Sequence, residues 1–181
     1  MPKKRNLTFA QLRGACLALL AAILLVAGCG KDTSYRLVSE KYNFSVEFPE
    51  KPTEETKIND EGLPKSRWAV SHEKIVAKDY FTAEATTYKE ILNPDDELVP
   101  NEPLLALNGI KMVEHNRIKL KARETGREVD AMQTLSKETS TGVIISSIYV
   151  VDGHNMVSIT ARMNDDAGKA TLYLSTLTIL R

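Results

Sequence analysis

The sequence predicts a single α+β domain, an antiparallel β-sheet with helices packed against it, standing behind an N-terminal export signal. Three observations carry that prediction. Tyr42, Phe44, Val46 and Phe48 occupy every second position with polar residues between, the period of a half-buried strand. Two apolar runs, residues 143–151 and 156–161, flank Asp152-Gly153-His154-Asn155, a hairpin pattern. Helical signals are confined to residues 93–109 and to the stretch after Asn164, so helices should cover a sheet rather than alternate with its strands.

The order along the chain begins with an address. Met1-Pro2-Lys3-Lys4-Arg5 is positively charged, and residues 14–28 hold no charged side chain. Those 15 positions suit the apolar region of a signal peptide and fall short of the roughly 20 needed to cross a bilayer. Leu25-Val26-Ala27-Gly28-Cys29 resembles the lipobox of bacterial lipoproteins. The resemblance implies cleavage between Gly28 and Cys29, a diacylglyceryl group on the Cys29 thiol, and acylation of the freed amine. One acyl chain binds a membrane only marginally at ~0.8 kcal/mol per buried CH₂, whereas two or three hold stably. The expected partner of this end is therefore the membrane itself, and the expected address is the cell envelope, facing the periplasm or exterior. Gly30 stands where inner-membrane lipoproteins carry aspartate, which implies the outer membrane in a Gram-negative source.

Three segments follow from this reading: a signal peptide over 1–28, a lipidated tether over 29–39, and one domain over 40–181. Charge is balanced in the whole chain, with 24 cations and 24 anions. The signal takes away Lys3, Lys4, Arg5 and Arg13 and no acid, so the remainder is mildly acidic. That balance argues against nucleic acid, which calls for a basic stripe with aromatics interleaved. The two cysteines are Cys16, inside the signal, and Cys29. No disulfide, zinc–thiolate or iron–sulfur site is expected, and burial must hold the domain together.

Within the domain, Pro49 and Pro52 end the opening strand, residues 54–60 read as a charged connection, and Glu61-Gly62-Leu63-Pro64 as a turn. Residues 68–71 and 79–88 read as two further strands. Asn93-Pro94-Asp95-Asp96-Glu97 looks like a helix start, with acids where the helix dipole favours them. Pro100 and Pro103 forbid one long helix, so short pieces are expected, the last near residues 102–107 and closed by Asn108-Gly109. Alternation at Ile118, Leu120 and Ala122, and at Val129, Ala131 and Leu135, predicts two more strands before the hairpin. Asn164-Asp165-Asp166 should cap a final helix bearing Ala167, Ala170, Leu174 and Leu177, with residues 176–180 forming a closing strand that competes for Leu177.

This layout resembles the PsbP-like sandwich of photosystem extrinsic subunits and of assorted bacterial envelope lipoproteins. The residues that carry the likeness are Tyr42-x-Phe44-x-Val46-x-Phe48-Pro49, Thr125-Gly126-Arg127-Glu128 entering a strand, and a terminal helix leading into Ser175-Thr176-Leu177. Thr176-Leu177 departs from the aromatic more usual after that serine. The resemblance implies a fold and a compartment, and it carries over no catalytic residue.

Candidate chemistry is sparse. His72, His115 and His154 stand apart from one another, and the carboxylates at 95–97 and 165–166 are accounted for as helix-start acids. Gly-x-Ser-x-Gly and glycine-rich phosphate loops are missing from the mature region. Gly126-Arg127-Glu128 is the most pointed polar group, read first as a glycine turn with a cross-strand ion pair and second as a ligand contact. Trp68, with Tyr80 and Phe81, is a candidate groove lining or core packing. The sequence therefore favours a non-enzymatic envelope module that binds an unidentified envelope protein or supports assembly, with no cofactor and no metal. The alternative is a carrier of a small ligand or lipid in an apolar pocket between sheet and helix. An enzyme would need titratable groups converging in one cleft, for instance His154, Asp152 and an arginine.

Overall fold

The alternation that opens at Tyr42 becomes strand β2 (Phe44–Phe48), and it is paired on both sides. In the computed structural model, which describes residues 34–73, 78–164 and 167–181, β1 (Tyr35–Ser39) lies antiparallel to one edge of β2. At the other edge lies β10 (Thr178–Ile179). The signal peptide with Gly28 and Cys29, the first tether residues, and Asp165-Asp166 lie outside the described residues. The tether expected over 29–39 gives way to strand from Tyr35 onward. Leu37 and Ser39 point inward from that strand, and five register pairs with β2 supply the order that its polar sequence alone does not.

A second, seven-stranded antiparallel sheet runs in the order β3-β4-β5-β9-β8-β7-β6. Its members are β3 (Thr53–Ile58), β4 (Pro64–Glu73), β5 (Lys78–Thr87), β6 (Ile110–Lys121), β7 (Glu128–Glu138), β8 (Ile144–Asp152) and β9 (Asn155–Met163). The charged residues expected to form a connection at 54–60 are mostly the edge strand β3, exposed throughout. Pairing with β4 makes it a strand, and its charges discourage another chain from adding to that edge. The β8–β9 hairpin forms where the sequence placed it, with Asp152 opposite Asn155.

Three helices complete the described residues: α1 (Pro94–Glu97), α2 (Glu102–Leu107) and α3 (Ala167–Ser175). The architecture is antiparallel sheet with helices against it, richer in strand than the expectation implied. Pro94 and Pro103 lie in the first turns of α1 and α2, α2 closes at Asn108-Gly109, and Asn93 and Asn101 cap the two by accepting from the backbone N–H groups of Asp95 and Leu104. α3 buries Ala170, Tyr173 and Leu174, the i, i+3, i+4 face of a helix. Leu177 falls beyond its end and leads into β10, which settles the competition for that residue.

The main core lies between the small sheet, α3 and the inner face of the large sheet. Ala83, Ala131 and Ala161 are fully buried and make a low floor, onto which rings descend from above. Trp68 meets Tyr42 and Phe44 edge-on at 6.1 and 5.8 Å between ring centroids. Tyr173 meets Phe81 at 5.1 Å and Phe48 at 5.5 Å. The buried Tyr173 hydroxyl donates to the carbonyl of Thr82 at 2.9 Å, and burial raises its pKa far above the ordinary phenol value.

A candidate binding groove on the outer sheet face

Side chains of successive strand residues alternate between faces, so the large sheet has a second face opposite the core. On it, register sets residues in rows. Thr134, Ser147 and Thr160 stand side by side on β7, β8 and β9. One rank away, Met132 lies opposite Tyr149, and on the other side Ser136 lies between Met112 and Ile145. A bulge between Met112 and Glu114 shifts the phase of β6. Ile110 and Met112 before it, and Arg117 and Lys119 after it, thereby share this outer face.

The segment that follows β5 folds back over this face. Leu92 N–H donates to the carbonyl of Gly153 at 2.9 Å, and Tyr88 N–H to that of His154 at 2.8 Å, which ties the segment to the β8–β9 turn. Leu98 is buried in a small separate cluster with Met132 and Val151. Arg117 reaches up from β6 to Asp95, 3.7 Å to its carboxylate and 3.3 Å to its carbonyl. Burial, then the charges of Glu97 and Glu61, raise the pKa of the Tyr88 phenol.

Between this roof and the sheet runs a groove of about 370 Å³. Its walls are largely apolar, with Leu104, Leu105 and Val99 from the roof and Met112, Met132 and Met156 from the floor. Three of the five methionines of the chain therefore meet in one place, and methionine's flexible thioether suits surfaces that adapt to an apolar guest. Hydroxyls interrupt the floor. Ser147 and Thr160 bond each other at 2.9 Å, and Ser136 makes only a weak contact with the Met112 sulfur at 3.5 Å. Thr134 lines the groove at 6% exposure, and among the described residues its hydroxyl has no hydrogen-bond partner. The apolar character continues beyond the groove mouth, with Val99, Leu104 and Val113 more than half exposed and Leu107 more so.

The residues singled out from sequence go elsewhere. Trp68 is core, 5% exposed, and does not line a groove; its position on the inner face of β4 puts it under β2. Phe81 is likewise core, whereas Tyr80 lies on the other face beneath the Arg67 guanidinium, 5.5 Å from its ring centroid. Arg127 does form an ion pair, but with Asp152 in the β8–β9 turn at 2.9 Å rather than with a residue across its own strand pair. Asn43, held at φ +62°, donates to the same carboxylate at 2.9 Å. Asn43 also accepts from Arg181 N–H at 2.8 Å, and Arg127 donates to the Arg181 carbonyl at 2.9 Å. The group is a clasp joining the β1–β2 end of the domain to its last strand. Gly126, at φ +69°, supplies the turn, while Glu128 is exposed opposite Lys121.

His115 and His154 do not converge. His115 is exposed on β6, His154 is exposed in the hairpin turn with Nδ1 3.3 Å from the Tyr88 carbonyl, and His72 belongs to β4. Among the described residues no three of His, Cys, Asp and Glu gather at metal-binding distance. The sequence suggests an apolar pocket between sheet and helix only as an alternative, and none of the residues that line the groove is among the binding candidates it singles out. The groove's only linear trace is Met132-x-Thr134-x-Ser136, in phase opposition to Val129 and Ala131 on the same strand.

No protein-family model matches the chain, and no curated protein matches it. Among solved structures it is similar to the cyanobacterial PsbP (CyanoP) of Synechocystis sp. PCC 6803, determined in solution. The identity is 8%, the TM-score is 0.49, and the match covers 84% of this chain and 95% of that one. A likeness of that size carries no argument about activity or partner. No described helix is long and apolar enough to cross a membrane.

Proposed function

We propose that this chain is a lipid-anchored, non-enzymatic module of the bacterial envelope that holds an apolar segment of a partner protein in the groove between α1–α2 and the large sheet. The carrying observation is the run of apolar side chains from the groove onto open surface, through Val99, Leu104 and Leu107. A small ligand buries most of its own surface within a pocket and leaves such an exposed lip without use, whereas a protein segment covers both. The anchor rests on the lipobox resemblance at Cys29, and the PsbP-like reading on the framework residues named above.

The test is photo-crosslinking in intact envelopes from a benzoylphenylalanine placed at Leu104. The same probe at Leu172, exposed on α3, serves as control. A discrete adduct from position 104 that is absent from position 172, and is lost on Val99→Asp/Leu107→Asp, is the expected result. Equal adducts from both positions, or none, would overturn the reading. The variants change exposed side chains only, so folding is preserved.

A second reading has its own support. The groove volume lies inside the ~300–1,000 Å³ range of small-molecule sites. A fluorescent apolar probe that binds stoichiometrically, with no protein adduct at position 104, would favour it.

A further inference from the structure

We infer that the segment seated in the groove is a cationic amphipathic one, its apolar face on the methionine floor and its basic residues against the roof. This rests on the protein-binding reading above and adds the chemistry of the partner.

The roof is charged with one sign. Residues 90–110 contain Glu90, Asp95, Asp96, Glu97 and Glu102 and not one lysine, arginine or histidine. Glu97 lines the groove itself, and none of the lining residues is a cation. Two cations of the same sheet face are already engaged, Arg117 with Asp95 and Lys119 with Asp130 at 2.6 Å, and His115 stands opposite Thr134. An anionic occupant such as a fatty acid, a phospholipid head or an acidic peptide would meet repulsion from Glu97 and the other roof acids. A basic one is drawn in.

Acids at the first turns of α1 and α2 serve those helices regardless, so their number alone decides nothing. The second observation is Thr134. The residue is more than nine-tenths buried, lines the groove, and its hydroxyl has no partner among the described residues. That hydroxyl is open on the groove side, and a guest that offers it a hydrogen bond gains a contact the domain does not itself use.

Dimensions agree. The floor spans four strands, β6 to β9, about 14 Å across at ~4.8 Å per strand, and three ranks of side chains along them, also about 14 Å. A helix with its side chains is ≈ 10–12 Å wide, so it lies along the groove mouth, and the groove of about 370 Å³ receives a few of its apolar side chains. Recognition of an amphipathic helix by its apolar face in a groove is an established mode, and three methionines let the floor repack around different apolar side chains.

The experiment uses the full chain reconstituted in zwitterionic nanodiscs, with the signal from empty discs subtracted. Fluorescence anisotropy follows two labelled 14-residue peptides of the same amphipathic pattern, one of leucine, alanine and lysine and the other of leucine, alanine and glutamate. The lysine peptide should bind at least tenfold more tightly, and the preference should fall as salt rises. Asp96→Asn/Glu97→Gln/Glu102→Gln should erase most of it. Thr134→Val, which removes a hydroxyl the fold does not use, should weaken the lysine peptide severalfold with an unchanged unfolding midpoint.

Equal or tighter binding of the glutamate peptide would overturn the cationic assignment while leaving a protein segment in the groove. Binding of neither peptide, with uptake of the neutral dye N-phenyl-1-naphthylamine that Leu104→Asp blocks, would overturn the peptide occupant and support the small-ligand reading. Lysine-peptide binding unaffected by both the roof variant and Leu104→Asp would place the site elsewhere and overturn the inference.

Discussion

Asp152→Ala separates a structural from a ligand-binding role for Arg127. The Asp152 carboxylate takes the Arg127 Nη2 on both oxygens, at 2.9 and 3.0 Å, and the Asn43 amide at 2.9 Å. A sheltered hydrogen bond to a charged group contributes roughly 1.5–3 kcal/mol, and an exposed ion pair about 0.2–1 kcal/mol. The Asp152 side chain is 17% exposed and that of Arg127 48%, so solvent screening brings the pair to about 1 kcal/mol. Loss of the Asn43 contact adds about 0.5–1 kcal/mol. Asp152→Ala should therefore destabilise by about 2 kcal/mol, a fall in Tm of roughly 4–8 °C for a domain of this size, and Arg127→Ala by about 1 kcal/mol. Urea unfolding is read conveniently from Trp68, the single tryptophan and a buried one. The double variant completes a cycle whose coupling should come to about 1 kcal/mol. A coupling within ~0.3 kcal/mol of zero, or loss of partner crosslinking with no loss of stability, would refute the clasp and return Arg127 to the candidate binding residues.

Four further outcomes are expected. Glu138 is hydrogen-bonded by the Thr141 hydroxyl and by Arg162 at 2.7 Å, in that order of influence, and both hold its pKa below the usual carboxylate value near 4.5. Its contribution is therefore fully present above pH 4.5 and is lost as pH falls through the lower folded-state value; Glu138→Gln should flatten the acid limb of a stability profile measured from pH 7 to 3. Tyr173→Phe keeps the ring against Phe81 but removes the buried hydrogen bond to the Thr82 carbonyl, and should cost about 1 kcal/mol by urea unfolding. Phe44→Ala, which empties a fully buried site against Trp68, should cost about 3–5 kcal/mol. Gly126→Ala meets no atom within 4 Å yet must hold φ near +69°, so about 1 kcal/mol should be lost to backbone strain alone.

Elements whose own residues declare them were legible in the sequence. The alternation at Phe44, Val46 and Phe48, the hairpin around Gly153, and a short helix bounded by Asn101 and Asn108 follow from local periodicity and capping. What escaped was decided by partners. β1 is a strand because β2 is beside it, and β3 because β4 is, although all six of its residues are exposed. Trp68 was ambiguous because strand alternation says that a residue faces one side without saying which side is the core. The groove was hidden for a related reason. Thr134, Ser136 and Ser147 look like the wet face of a sheet, and only the long-range return of residues 92–107 over them makes that face an enclosed one. Arg127 was recognised as notable, but its partner lies 25 positions away and no spacing rule reaches that far.

The small sheet has a consequence for the order of events in folding. Its central strand, β2, is complete only when β10 has arrived from more than 120 positions further along, and the Asn43 side chain closes on Arg181 across a separation of 138. Contacts this distant come late, because the intervening chain must first be gathered. The first strands to leave a ribosome or a translocation pore must therefore wait, unpaired on one side, for the last. Until then β1 and β2 form a two-stranded ribbon with one open edge, and the domain closes only when its last residues are in place.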